Sequence, residues 1–180
     1  MDDRQTQDDD KWPRAWLMTD DRMGQGLWDA LARLPAGDGV VLRDSSLGER
    51  VASFCRDRGL KLAVTRDVAL AEALGAALVH NPGAITKLPF SRSVHDEAEA
   101  RRAKAGGATL VFVSPVFPTR SHPDGDTLGL DEAARLAKIA GVPAIALGGM
   151  NEERFTALAA HGFYGWAGID AWLDQARLRI

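Results

Sequence analysis

The chain has 180 residues, 46% of them hydrophobic, and its 22 Lys and Arg against 25 Asp and Glu give a net charge of -3. This is enough apolar material for one sizeable core, so we expect one domain rather than two. The charge is too small and too evenly spread for a basic surface that binds nucleic acid. No segment reaches the roughly 20 apolar residues that span a bilayer, and Cys55 has no second cysteine with which to pair. These features predict a cytoplasmic protein that binds neither nucleic acid nor membrane.

The first 11 residues include five aspartates and almost no apolar side chain. A secretory signal would instead need a basic start followed by an apolar run. We therefore expect residues 1–11 to form a flexible acidic tail and residues 12–180 to form a single domain.

Short apolar runs alternate with amphipathic segments from Trp16 onward, which is typical of parallel strands separated by helices. Most of the runs are nearly continuous, as expected for strands buried on both faces. Eight strands are predicted: Trp16–Thr19, Gly39–Arg43, Leu60–Thr65, Ala77–His80, Ser91–His95, Leu110–Ser114, Ala144–Gly148 and Gly165–Ile169.

Two of the intervening helices have clear start signals. Asp96 and Asn151 each precede a pair of acidic residues in a first helical turn, which is where a capping side chain and negative charge stabilise a helix. Between the fourth and fifth strands, by contrast, Pro82, Gly83 and Pro89 leave too little chain for a full helix. The fourth helix is therefore expected to be lost or reduced to one turn.

Eight strands with about seven helices predict a compact α/β fold, a (β/α)₈ TIM barrel with one or more reduced helices. An open doubly wound sheet is the alternative. Its glycine-rich turn after the first strand is missing, because Thr19-Asp20-Asp21-Arg22 stands there instead. In a barrel the active site lies at the carboxyl ends of the strands, so the residues that follow each strand are the candidates for function.

Two of these strand ends could bind phosphate. Gly148 and Gly149 precede a helix and could offer backbone N–H groups to an anion, although a glycine pair is also an ordinary tight turn. The longest loop, residues 115–129, carries Thr119, Ser121 and His122, whose hydroxyl and imidazole groups suit phosphate. This loop either covers a substrate or is an insertion without a ligand.

Other strand ends carry histidines and acids. His95 either takes part in chemistry or orients the turn that leads to Asp96, and His80 is expected to be a hydrogen-bonded interior histidine. No Cys and His cluster has the spacing of a zinc site. Carboxylates near the loops, Asp20, Asp21, Asp44 and Asp67, offer oxygen ligands that Mg²⁺ could use.

Three segments in this order resemble one family: Ser91-Arg92-Ser93-Val94-His95, Val116-Phe117-Pro118-Thr119 and Ala146-Leu147-Gly148-Gly149-Met150. The chain is similar from about Trp16 to Trp172 to thiamine phosphate synthase and its relative, the thiazole tautomerase. The resemblance implies a barrel that joins an aminopyrimidine diphosphate to a thiazole phosphate, with Mg²⁺ assisting the departure of pyrophosphate.

The resemblance also implies roles for individual residues. Arg43 matches an arginine near the pyrophosphate, and Ser93 and His95 match the serine and histidine of the fifth strand, so these three are the catalytic candidates. The candidates for phosphate binding are Thr119, Ser121, His122, Gly148, Gly149, Gly168 and Ile169.

The chain departs from the family pattern where the family places metal and positive charge. A glutamine and a lysine around Arg43 are replaced by Val41 and Ser45. The family's Asn-Asp pair after the third strand is Thr65-Arg66 here, a second aspartate falls near Ile85, the lysine of the long loop is His122, and a serine is Asp170. Arg66 could substitute for some of the lost charge, and Asp67 is the acid that remains for Mg²⁺.

The sequence thus predicts a transferase of thiamine biosynthesis that resembles thiamine phosphate synthase and acts on small phosphorylated metabolites. The alternative is a barrel that binds a phosphorylated thiazole or pyrimidine without coupling it. An isomerase like the tautomerase ranks third, because the catalytic histidine of that branch is Pro115 here. The sequence leaves a homo-oligomer open.

Overall fold

A computed structural model describes residues 11–119 and 125–174, and it contains a closed barrel of eight parallel strands in chain order. The strands are β1 (Ala15–Met18), β2 (Gly39–Leu42), β3 (Lys61–Thr65), β4 (Leu78–His80), β5 (Phe90–Val94), β6 (Leu110–Val113), β7 (Ala144–Leu147) and β8 (Gly165–Gly168). Pairing of β1 with β8 closes the barrel. The predicted barrel and its eight strands are confirmed, each strand to within one residue at either end, and the open sheet is wrong.

Within the described residues, seven α-helices surround the barrel: α1 (Gly26–Arg33), α2 (Gly48–Arg58), α3 (Val68–Leu74), α4 (Glu97–Ala105), α5 (Gly129–Ala140), α6 (Glu152–Leu158) and α7 (Asp170–Asp174). Residues 81–89 contain no helix, as predicted. The predicted caps are also present, because the Asp96 side chain accepts the N–H of Glu99 at 2.7 Å and Asn151 accepts that of Arg154 at 2.8 Å. In the described part of the chain, no helix is both long and apolar enough to cross a membrane.

Side chains that alternate along the strands form two separate cores. Trp16 and Met18 point into the barrel, whereas Leu17 between them packs against the outer helices. The inner cluster consists of Trp12, Trp16, Met18, Val41, Ala63, Leu78, Leu110, Phe112, Ile145 and Ala167. Its members come from most of the strands and fill the half of the barrel nearer the amino ends of the strands. Within the described barrel, open space therefore remains at the carboxyl ends of the strands.

The indole of Trp16 is the largest fully buried side chain among the described residues, and Gly39 makes room for it. These two residues are register partners on β1 and β2, and a Cβ atom at residue 39 would lie 2.1 Å from the Trp16 ring. Trp16 is fully buried, packs edge-on against Phe112 and donates its Nε1–H to the carbonyl of Pro13 at 2.7 Å. The indole therefore closes the amino end of the barrel.

The substitution Gly39→Ala should destabilise the protein by about 1–3 kcal/mol, because the added methyl group overlaps the Trp16 ring in a filled interior. Urea denaturation measures the effect. In a Trp16→Leu background the same substitution should cost less than half as much, since the smaller side chain leaves space for the methyl group. Equal losses in both backgrounds would show that the two residues are not in steric conflict.

Candidate active site

A cavity of about 960 Å³ opens at the carboxyl ends of the strands. It contains residues that the sequence assigned separately to catalysis and to phosphate binding, although they lie far apart along the chain. The predicted residues that line it are Arg43, His95, Thr119, Gly148, Gly149, Gly168 and Ile169. Barrel closure thus brings seven of the candidate residues around one space.

Three further candidates lie elsewhere in the described structure. Ser93, Arg66 and Asp67 are not among the residues that line the cavity. Ser121 and His122 lie outside the described residues, so the phosphate-binding role of these two stays a prediction.

Two arginines share one carboxylate at the mouth of the cavity. Arg43 follows β2, where its backbone N–H donates to Thr19 Oγ1 at 2.8 Å, and its Nη1 lies 3.4 Å from Asp20 Oδ2. Arg22 donates from Nε to Asp20 Oδ1 at 2.6 Å. This hydrogen bond holds the pKa of the Asp20 carboxyl below its ordinary value, so the carboxylate stays charged. Asp170, which also lines the cavity, interacts electrostatically with Arg22, so two carboxylates and two guanidinium groups share this corner.

Sequence reasoning missed Arg22 as a site residue. Its only sequence signal is its position just after β1. In the structure it lies in a short 3₁₀ helix, Asp21–Met23, for which Asp20 is the N-cap. The turn exists because the Asp20 side chain accepts the backbone N–H of Arg22 at 3.0 Å. Asp20 therefore fixes both the backbone and the guanidinium of Arg22.

The glycine pair after β7 is required by the packing of two neighbouring loops. Gly148 and Gly149 have φ angles of 97° and 62°, which other residues rarely adopt. A Cβ at Gly148 would lie 2.8 Å from the Cα of Pro115, and one at Gly149 would lie 2.5 Å from the carbonyl oxygen of Pro118. The N–H of Phe117 donates to the carbonyl of Gly148 at 3.1 Å. The pair therefore holds the loop after β6 against the loop after β7, a role that a single sequence does not reveal.

A third arginine, also missed by the sequence, spans these two loops. Arg154 lines the cavity from the first turn of α6. Its Nη1 donates to the carbonyl of Gly149, and its guanidinium lies 5.1 Å from the centre of the Phe117 ring. Thr119, half-buried, lines the same side of the cavity. This side therefore combines a hydroxyl, a guanidinium and backbone that can approach a ligand closely.

His95 is tied to the start of α4. Its Nδ1 and its backbone nitrogen both lie 2.8 Å from Glu99 Oε2, and just over half of its side chain is exposed. Asp96 caps the same helix. His95 thus orients the turn, which is one of its two predicted roles, while it also lines the cavity.

Ser93 belongs to a hydrogen-bond network within the barrel. Its backbone N–H donates to Asn81 Oδ1 at 2.8 Å, which fixes the amide so that Asn81 Nδ2 donates to Ser93 Oγ at 2.9 Å. The same Nδ2 lies 3.2 Å from His80 Nε2, so that ring nitrogen accepts. His80 Nδ1 then carries the proton and donates to Ser91 Oγ at 2.9 Å.

Burial keeps His80 neutral. The residue is only 4% exposed, and burial, reinforced by the nearby positive charges of Arg43 and Arg92, lowers its pKa to about 4. His80 is thus a hydrogen-bonded interior histidine, as the sequence suggests. Thr65 is the register partner of His80 on β3, and its buried Oγ1 has no hydrogen-bond partner among the described residues.

Among the described residues, no cluster of side chains fits the magnesium ion that the resemblance implies. Asp67 caps α3, because one of its carboxylate oxygens accepts the N–H of Leu70 at 2.9 Å. Thr65 and Arg66 occupy the preceding positions, and Arg66 has a φ of 67°. Residues 11–119 and 125–174 contain no group of three or more His, Cys, Asp and Glu side chains that could hold a metal ion.

The neutral state of His80 should make the protein lose stability in mild acid. Its folded pKa of about 4 lies below the unfolded value of about 6.5, so the unfolded chain binds more protons between these values. The free energy of unfolding should therefore decrease as the pH falls from 6.5 towards 4, by up to about 1.4 kcal/mol per pH unit.

Urea denaturation across this range should show a shallower decrease for His80→Gln. A control variant, His161→Gln, alters an exposed histidine and should keep the parental slope; an unchanged slope in His80→Gln would contradict the assignment.

Comparison with known proteins identifies relatives of this chain. The sequence profile of the thiamine monophosphate synthase family matches residues 44–172. A thiamine-phosphate synthase from Roseiflexus sp. is 32% identical over 150 residues, which cover 77% of this chain and 61% of that protein. A putative thiamine-phosphate synthase 2 from Aquifex aeolicus is 34% identical over 82 residues, 46% of this chain and 44% of that protein. The chain therefore spans about half the length of these two relatives.

A solved structure shares the fold. The thiamine phosphate pyrophosphorylase from Pyrococcus furiosus superposes with a TM-score of 0.73 at 21% identity, over 92% of this chain and 88% of that one. Because the family profile covers well over half of the chain, including the strands and loops that carry most of the cavity, the chain belongs to the thiamine monophosphate synthase family.

Proposed function

We propose that this protein couples an aminopyrimidine diphosphate to a thiazole phosphate, forming thiamine phosphate and releasing pyrophosphate. The observation that carries the proposal is that Arg43, His95, Thr119 and the glycine pair surround one cavity in a member of this family. Its volume of about 960 Å³ lies at the upper end of the range for ligand sites, so two small substrates can bind side by side.

Arg22 and Arg43 would bind the diphosphate. Their guanidinium groups stay charged at all relevant pH values and can each donate two hydrogen bonds to neighbouring phosphate oxygens. Asp20 holds both arginines near each other at the cavity mouth. A diphosphate carries more charge than one arginine can balance, so a pair of arginines suits it better than either alone.

Thr119 and the glycine pair would bind the phosphate of the second substrate. Thr119 supplies a hydroxyl, and Gly148 and Gly149 allow the backbone to approach the ligand without a side chain in between. Ser121 and His122 follow on the same loop and remain predicted contacts, as do Gly168 and Ile169 at the end of the neighbouring strand β8.

The reaction breaks one bond and forms one. The bond between the pyrimidine methylene carbon and the diphosphate oxygen breaks, and its electron pair leaves with pyrophosphate. The thiazole nitrogen then donates its lone pair to that carbon. Negative charge grows on the departing oxygen, so donors already placed there lower the barrier more than donors that must reorganise. Arg22 and Arg43 are such donors.

A barrel that binds these metabolites without coupling them is the second candidate. It is favoured by the positions of the two residues predicted to supply extra positive charge. Asp67, the candidate ligand for Mg²⁺, caps a helix, and Arg66, the candidate substitute for the metal, does not line the cavity. Both functions imply small phosphorylated ligands. A cytoplasmic location and a homo-oligomeric assembly remain predictions from the sequence.

Coupling should be detectable with purified protein and the two proposed substrates, and it should persist in EDTA, because the charges of Arg22 and Arg43 cannot be chelated. Thiamine phosphate formation, measured by chromatography with and without added Mg²⁺, is the readout. Loss of activity in EDTA with recovery on adding Mg²⁺ would contradict the arginine assignment and support Asp67 as a ligand; the variant Asp67→Asn then tests that ligand directly. Binding of both substrates without any product would favour the second candidate.

The substitution Thr119→Ala should weaken binding of the thiazole phosphate by about 1–2 kcal/mol, the usual effect of removing a hydrogen bond to a charged group. Isothermal titration calorimetry measures the affinity. Thr156→Ala removes a threonine hydroxyl that bonds only within α6, and this control should bind like the parent protein. An unchanged affinity in Thr119→Ala would show that the loop does not contact the phosphate.

A further inference from the structure

We propose that Arg154 binds the phosphate group of the thiazole substrate and makes the site select the phosphorylated ligand over its free alcohol. The identity of the ligand rests on the proposed function. The placement of Arg154 rests on its own contacts, which involve neither the arginines at the cavity mouth nor the hydroxyl of Thr119.

The backbone of Arg154 is fixed at the start of α6. Its N–H donates to Asn151 Oδ1 at 2.8 Å, and both residues line the cavity. The side chain therefore leaves the helix within one turn of the glycine pair. This position places a guanidinium beside the loop where the phosphate is proposed to bind.

The guanidinium is held in place by two groups that carry no negative charge. Nη1 donates to the carbonyl of Gly149, and the guanidinium lies 5.1 Å from the centre of the Phe117 ring. These contacts use one N–H and the face of the group, whereas a guanidinium has five N–H donors in one plane. The other donors remain available to an anion in the cavity.

The charge of Arg154 is also not neutralised by a protein carboxylate. Within residues 11–119 and 125–174, no Asp or Glu forms an ion pair with it, in contrast to Arg22 and Arg43, which share Asp20. An arginine that lines a cavity, is already oriented and has no counter-ion is suited to an anionic ligand. The neighbouring residues Thr119, Gly148 and Gly149 carry no negative charge, whereas the carboxylates that line the same cavity belong to Asp20, Asp126 and Asp170.

Arg154 could also act only as a link between the two loops, since it contacts both Phe117 and Gly149. The two roles predict different effects. A link would affect every ligand of the site equally, because the shape of the whole cavity would change. A phosphate contact would affect only the ligand that carries the phosphate. Comparison of a phosphorylated ligand with its alcohol therefore separates the two.

The test measures the affinity of thiazole phosphate and of the corresponding thiazole alcohol by calorimetry, in the parent protein and in Arg154→Gln. We expect the phosphate to bind at least 10-fold more weakly to the variant, while the affinity for the alcohol changes less than twofold. Arg154→Lys keeps the charge without the planar fork and should show an intermediate loss. The control Arg56→Gln removes an exposed arginine of α2 that does not line the cavity, and it should bind both ligands normally.

Equal weakening for phosphate and alcohol in Arg154→Gln would overturn the proposal and leave Arg154 as a loop contact. An unchanged affinity for both would overturn it as well. Failure of the proposed coupling reaction is a separate result: a parent protein that forms no thiamine phosphate but loses phosphate selectivity in Arg154→Gln would retain this site and lose only the transferase function.

Discussion

The close fit of the Trp16 indole against Gly39 is the constraint on which the rest of the structure depends. A barrel this small must fill its own interior with side chains. At the amino end the Trp16 ring does this, because its register partner Gly39 on β2 has no side chain to occupy the same space. The interior is apolar at that level and becomes polar towards the carboxyl ends, at His80, Ser91 and Ser93. The filled lower half and the open upper half together place the cavity at only one end.

The two sides of this cavity hold their positive charges by different interactions. Arg22 and Arg43 are oriented by Asp20, whose side chain is only 14% exposed while theirs are about half exposed. These ion pairs of partly exposed arginines contribute only about 1 kcal/mol or less to stability, so their main effect is on orientation. Each guanidinium has five N–H donors, so both arginines can bind a diphosphate with their remaining donors while Asp20 keeps them in position.

The sequence contained most of the information about the fold. Continuous apolar runs such as Leu110–Val113 identify strands buried on both faces, and the prolines at 82 and 89 exclude a helix between β4 and β5. These signals are local, because strand burial and helix termination depend on residues that are near neighbours. The cap at Asp67 was equally readable, since an acid directly before a run of helix formers is a usual helix start. Its carboxylate was instead assigned to a metal through the resemblance.

The site was less predictable, because its main contacts join residues that are distant in the sequence. The glycine pair was interpreted as either a turn or a phosphate loop, yet its closest contacts are with Pro115 and Pro118, more than 30 positions away. Arg154 is similar: in the sequence it is one more charged residue of a helix, and its contact with Phe117, on a loop 37 positions away, becomes visible only in the folded structure. A pattern within one segment cannot show which loops meet above a barrel.

The loop contact and the proposed phosphate contact of Arg154 support each other physically. A free arginine side chain loses rotational entropy when it binds an anion, and this loss reduces the affinity gained from the charge. Phe117 and the carbonyl of Gly149 already restrict the guanidinium before a ligand arrives. Because neither group is charged, they orient Arg154 without neutralising it, whereas Asp20 does both to Arg22 and Arg43. The side of the cavity built from two packed loops is therefore the better prepared of the two for a singly phosphorylated ligand.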